Sequence, residues 1–180
     1  FIILPKEKYM KSIILSSFFI IFTKLVCSGT LKMESAGYFQ NKFYTLVPEK
    51  SYFAVVSNKN IVSFDIGVYG SSECNGIIDS INGVSSYNLL CKLTEKNGDI
   101  SYSQFKKTVE MGNRVITFTT LEGSTGRWKE LIGYKCIGAS SIIDEKKLED
   151  NNYEGKFIWS GKCDVPDEVL ERVKNFKKPQ

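Results

Sequence analysis

Apolar and polar positions alternate along much of this chain at the period of a β-strand, in short runs separated by turn residues. Residues 52–57 (YFAVVS) and 61–69 (IVSFDIGVY) are rich in β-branched and aromatic side chains and read as two strands, with the NKN between them as a hairpin turn. Residues 74–81 (CNGIIDSI) read as a short helix, weakened by Gly76. Residues 87–94 and 100–106 alternate again and flank EKNGD, where Asn97-Gly98 is a strong hairpin signal. Residues 114–121 (RVITFTTL) and 128–137 (WKELIGYKCI) read as strands on either side of a Gly-Ser-Thr-Gly turn. A loop or short surface helix is expected over 144–152 and a last strand over 157–159. Asp164 is placed to cap a C-terminal helix with Pro166 in its first turn, and Val165, Val169, Val173 and Phe176 fall on one face of it.

The first apolar stretch is of another kind. Met10 opens MKSIILSSFFIIFTKLVCS, with Lys11 as a positive start, an apolar run over 13–22 and small residues before Gly29. This is the pattern of a secretory signal peptide, and the run is shorter than the roughly 20 residues a bilayer-spanning helix needs. The expected organisation is a leader over 1–9, a signal peptide over 10–28, one domain over 29–163 and a C-terminal helix over 164–180, with a secreted product.

Composition narrows the chemistry. Of 24 basic and 20 acidic residues the leader takes Lys6, Lys8, Lys11 and Lys24 against Glu7, leaving 20 and 19 and a net charge of +1. Such a chain has no general pull toward nucleic acid or anionic membrane. Cys74, Cys91, Cys136 and Cys163 follow the leader, and four cysteines in a secreted domain imply two disulfides with three pairings open. The chain has no histidine, so a Ser-His-Asp triad, a Cys-His pair and an imidazole base are all excluded. A metal site would need carboxylates, or thiols that disulfides consume, so neither metal nor cofactor is expected. Asp65, Glu73, Glu95, Asp99 and Glu110 are the carboxylates open to acid–base work. Most stand in or beside turns, where such residues are solvated and structural, and no catalytic residue is assigned.

The last third carries a resemblance. GNRVITF, then KELIGYKCIGAS, then NNYEGKFIWSGKC resembles, in that order, the C-terminal half of the small fungal guanyl-specific ribonucleases. With the leader and a lost active site, the chain resembles the ribonuclease-like effectors secreted by powdery mildew fungi. The resemblance sets Arg114 at the family's phosphate-binding arginine and Cys136 where its catalytic histidine stands. Gly138, Ala139 and Ser140 match a turn of the family, Cys163 matches its terminal cysteine, and its catalytic glutamate falls near Leu89, which is no acid. What the resemblance implies is an α+β fold, microbial-ribonuclease-like: a twisted antiparallel sheet with one or two helices. It also implies a monomeric, catalytically inactive effector that holds a host RNA or a host protein. If Arg114 meets phosphate, Tyr134 and Trp128 are the aromatic neighbours for base stacking.

Two other functions compete with this one. An active secreted ribonuclease would work with carboxylates and Arg114. An unrelated secreted β-rich ligand-binding domain, lipocalin-like, would use its aromatic residues to line a pocket. One helix packed on an antiparallel sheet favours the effector, whereas a closed barrel around a cavity favours the ligand-binding domain.

Overall fold

Eight antiparallel strands, each bonded to its neighbours in sequence, close on themselves as a barrel. They are β1 (Ser28–Val47), β2 (Ser51–Phe64), β3 (Val68–Ile81), β4 (Val84–Glu95), β5 (Ile100–Glu110), β6 (Val115–Thr120), β7 (Lys135–Lys147) and β8 (Asn152–Pro166). A 3-10 helix (Gly126–Leu131) lies between β6 and β7, and one α-helix, α1 (Asp167–Lys174), follows β8. The computed structural model describes residues 28–47, 51–82, 84–110 and 115–177. The expected leader and all but the last residue of the expected signal peptide lie outside them, as does Arg114.

The pairing register fixes the shape of the barrel. From Asn41 the partners run through Val56, Gly76, Leu89, Phe105, Phe118, Cys136 and Cys163 and return to β1 at Leu31, ten residues before the start. With a rise of about 3.3 Å per residue and strands about 4.8 Å apart, that stagger tilts the strands by about 40°. Eight strands so tilted leave an interior that side chains can just fill, or that holds one small ligand.

The expected α+β fold is therefore corrected to a closed all-β barrel. The physical reason is that β1 bonds both β2 and β8, so every strand is paired on both sides and the sheet has no free edge. The inner faces of the strands pack on one another, and α1 is left to cover one end of the barrel. The segments that carry the ribonuclease resemblance are consecutive up-and-down strands, β6, β7 and β8, and Gly138, Ala139 and Ser140 lie inside β7 rather than in a turn.

Local expectations change for related reasons. The NKN at 58–60 is the middle of β2, because Asn58 and Asn60 are held on one side by Phe39 and Gly37 and on the other by Cys74 and Ser72. Pairing on both flanks overrides the turn preference of asparagine. Residues 74–81 are strand rather than helix on the same ground. Trp128 sits in the 3-10 helix, and β7 starts only at Lys135. The expected loop over 144–152 shortens to residues 148–151 between β7 and β8, with Asp150 and Asn151 both at positive φ. The β4–β5 hairpin does turn at Asn97-Gly98, with Gly98 at φ 88° and the Asn97 side chain accepting from Asp99 N–H at 2.9 Å. The C-terminal helix starts at Asp167, one residue after Pro166. Asp164 remains in β8, where it accepts hydrogen bonds from Thr30 Oγ1 at 2.7 Å and Lys162 Nζ at 2.9 Å.

One end of the barrel is a filled floor. Trp128 and Leu131 of the 3-10 helix and Val169, Leu170 and Val173 of α1 meet Leu31, Phe64 and Val165 of the strands. The Trp128 and Phe64 rings are 4.7 Å apart. Backbone bonds anchor the 121–125 segment to β5: Leu121 N–H donates to Tyr102 at 2.8 Å and Thr125 N–H to Ile100 at 2.7 Å.

Candidate functional site: the barrel cavity

Alternation decides which side chains face inward. On β1 these are Leu31, Met33, Ser35, Phe39 and Asn41, and on β2 they are Val56, Asn58, Asn60, Val62 and Phe64. Above the floor the inward side chains leave a cavity of about 220 Å³. A hole of about 150 Å³ is enough for a benzene ring, so this one has room for a molecule of one or two rings. Its wall is mainly apolar and aromatic, and none of the described residues that line it is charged.

Two opposite walls differ in chemistry. On the β5–β6 side Phe105 and Phe118 stack at 4.7 Å, and Trp159 of β8 meets them edge-on at 5.9 and 5.5 Å. The Trp159 ring lies against Gly138 and Gly161: a Cβ on either would fall 2.1 Å from a ring atom. Glycine at these two sites is what lets the indole lie flat along the β7–β8 wall. In a closed barrel of eight strands in sequence order, β1 and β2 stand across from β5 and β6. That facing wall carries Asn41, Asn58 and Asn60. Asn60 Nδ2 donates to Ser35 Oγ. The Oδ1 atoms of all three asparagines are buried and have no hydrogen-bond partner among the described residues, and the same holds for the Trp159 indole N–H. Leaving such a group unpaired costs about 1–3 kcal/mol.

At the end away from the floor, Phe43, Tyr52 and Tyr153 form an aromatic cluster, with Phe43 5.3 Å from Tyr52 and 5.0 Å from Tyr153. Burial, and secondarily the neighbouring Tyr52, push the Tyr87 phenol above its ordinary value, so this cavity-lining group stays neutral at physiological pH.

Charge is confined to the floor. Glu95 and Arg127 form an ion pair at 3.3 Å, with side-chain exposures of only 7% and 11%. Arg127 Nη1 also donates to the Val173 carbonyl at 2.8 Å, tying the 3-10 helix to α1. Burial raises Glu95 above the usual carboxylate range. The Arg127 guanidinium opposes this, Asp99 adds to it, and the polar N–H groups of Arg127 and Trp128 beside the carboxylate again oppose it. The carboxylate therefore serves packing and closure beneath the cavity and does not face into it.

The four cysteines form Cys74–Cys91 and Cys136–Cys163. Each disulfide joins residues directly opposite on neighbouring strands, β3–β4 and β7–β8. Cys136, which the resemblance set at a catalytic histidine, is 1% exposed and bonded to Cys163. Trp128 is 1% exposed in the floor, and Tyr134 is half-buried against the same cluster. Arg114 lies outside the described residues. Sequence reasoning missed Asn41, Asn58, Asn60, Phe105, Phe118 and Trp159 as a group. The one signal that could have found them is asparagine at the inward phase of a strand. Among the described residues no group of three histidine, cysteine, aspartate or glutamate side chains is placed to hold a metal ion.

Compared with protein-family models, with curated proteins and with solved structures, the chain matches none.

Proposed function

We propose that this protein is a secreted β-barrel that binds one small, uncharged, largely apolar molecule inside the barrel. The observation that carries the reading is the mainly apolar cavity of about 220 Å³, lined by no charged side chain among the described residues, above a filled floor. Concave, mainly apolar pockets with a few polar groups are the usual form of small-molecule sites, and the mouths of barrels are among the places they occur. Secretion is supported by the signal-peptide pattern over 10–28 and by two disulfides, which persist in oxidising compartments. The competing proposal, an inactive ribonuclease-like effector, drew on an α+β fold that this chain does not adopt.

The test is a titration of the oxidised domain with naphthalene, followed through the fluorescence of Trp159 in the cavity wall. Saturable quenching is expected in the wild type. Ser103 faces into the cavity, so Ser103→Phe should fill it and abolish the response while the barrel stays folded by circular dichroism. Absence of saturable binding in the wild type would overturn the reading.

A further inference from the structure

We infer that the ligand is a flat, neutral ring compound carrying a hydroxyl group, held with its ring against Phe105, Phe118 and Trp159 and its hydroxyl against the asparagine wall. This rests on the cavity being a ligand site at all. Three observations specify the ligand.

The first is the pairing of walls. Phe105 and Phe118 present ring surface from one side of the barrel, and the Trp159 indole extends that surface. Aromatic ligands gain from offset or edge-on contact with such rings beyond the area they bury. An aliphatic chain would have no use for it.

The second is the unmet hydrogen-bonding capacity across the cavity. The Oδ1 atoms of Asn41, Asn58 and Asn60 require a donor, and the Trp159 N–H requires an acceptor. In the backbone register Trp159 is the β8 partner of Ser35, and Ser35 accepts from Asn60. A hydroxyl donates once and also accepts, so it can answer one of the asparagine oxygens while keeping acceptor capacity. An ether or a ketone accepts only and leaves the asparagine oxygens unpaired.

The third is neutrality. Among the described residues no charged side chain lines the cavity, and burial raises the Tyr87 phenol further above the physiological range. A carboxylate, phosphate or ammonium ligand would be desolvated there without a counter-charge, which is unfavourable. The volume limits the compound to one or two rings.

The experiment compares naphthalene, 2-methoxynaphthalene and 2-naphthol by isothermal titration calorimetry on the oxidised domain, for wild type, Asn58→Leu and Asn60→Leu. These differ in one polar group on a constant ring. In the wild type 2-naphthol should bind about five- to tenfold more tightly than the other two, the worth of a hydrogen bond or two. Each leucine variant should shrink that ratio, whatever change it makes to naphthalene affinity itself. Thermal unfolding of both variants checks the fold, and Asn58→Gln, which keeps the amide, should retain the preference in part. Equal affinity for the three compounds, with no change in the variants, overturns the hydroxyl inference and leaves the barrel a binder of apolar molecules. Binding of none of them overturns the inference together with the reading on which it rests.

Discussion

The two ends of this barrel are made on opposite terms. At the floor, every large side chain has a neighbour: Trp128 sits on Phe64, and Val169, Leu170 and Val173 cover Leu31 and Val165. Of its buried carboxylates Glu95 and Asp99, Glu95 is paired with Arg127. Above the floor, the same strands leave a hollow, and their buried amides face each other's open space without partners. The contrast teaches where stability and recognition reside. Close packing holds the fold at the floor, and the void above it is available to a guest. Natural interiors are close-packed with few voids, so a hollow of this size above a filled floor is informative.

The sharpest way to break the comparison is to hollow the floor. Trp128→Ala should lower the free energy of unfolding by about 3–5 kcal/mol, the usual cost of removing a large aromatic from a core. Urea unfolding followed by circular dichroism measures it. A loss below about 1 kcal/mol would mean that the floor does not hold the barrel.

The disulfides come next. A closed loop of 27 residues is worth about 3.5 kcal/mol on chain-entropy grounds and one of 17 about 3 kcal/mol. Replacing Cys136 and Cys163 together by serine should therefore destabilise slightly more than replacing Cys74 and Cys91 together. Unfolding midpoints of the two double variants decide the order.

In the hollow the sign should reverse. Asn58→Leu removes an unpaired acceptor and adds apolar volume to open space, so stability should stay within about 1 kcal/mol of wild type or rise. A loss of about 3 kcal/mol would show that Asn58 is a structural residue and not part of a waiting site.

The smallest effect is a pH slope set in the floor. Folded Glu95 keeps its proton to higher pH than the unfolded chain does, because its value is raised above the ordinary 4.5. Its contribution is therefore present in full below the unfolded value and is lost as pH rises through the raised folded one. Subtracting the stability–pH curve of Glu95→Gln from that of the wild type should give a difference that falls with pH in that window. A difference that rises with pH instead would place the carboxylate in a solvated, charge-stabilising setting.

Strand content was legible where alternation was clean. Residues 87–94 and 100–106 keep apolar and polar phases apart and are joined by Asn97-Gly98, and they became β4 and β5 with the turn in place. It failed where polar residues took the inward phase. β1 carries Ser35, Gly37 and Asn41 among its inward positions, and the whole strand went unread. Asn58 and Asn60 gave the same misreading in β2, as a turn. The candidate site was illegible for the reason that makes it one: a cavity wall with polar residues loses the hydrophobic periodicity by which strands are recognised. The closure itself is non-local. Nothing near Leu31 announces that its partner is Cys163.

That seam between β1 and β8 has a consequence for how the barrel comes into being. Positions 31 and 163 are neighbours in space and 132 residues apart in the chain. Pairings of such separation form slowly, because the intervening chain must be gathered first. A chain made from its N-terminus holds β1 with one edge unpaired until the last strand arrives, and an unpaired edge is a template for association with other chains. Neither disulfide crosses the seam, since both staple hairpins formed by strands adjacent in sequence. Oxidation can therefore fix both hairpins without closing the barrel, and the step that encloses the interior is a non-covalent zipping of the first strand onto the last.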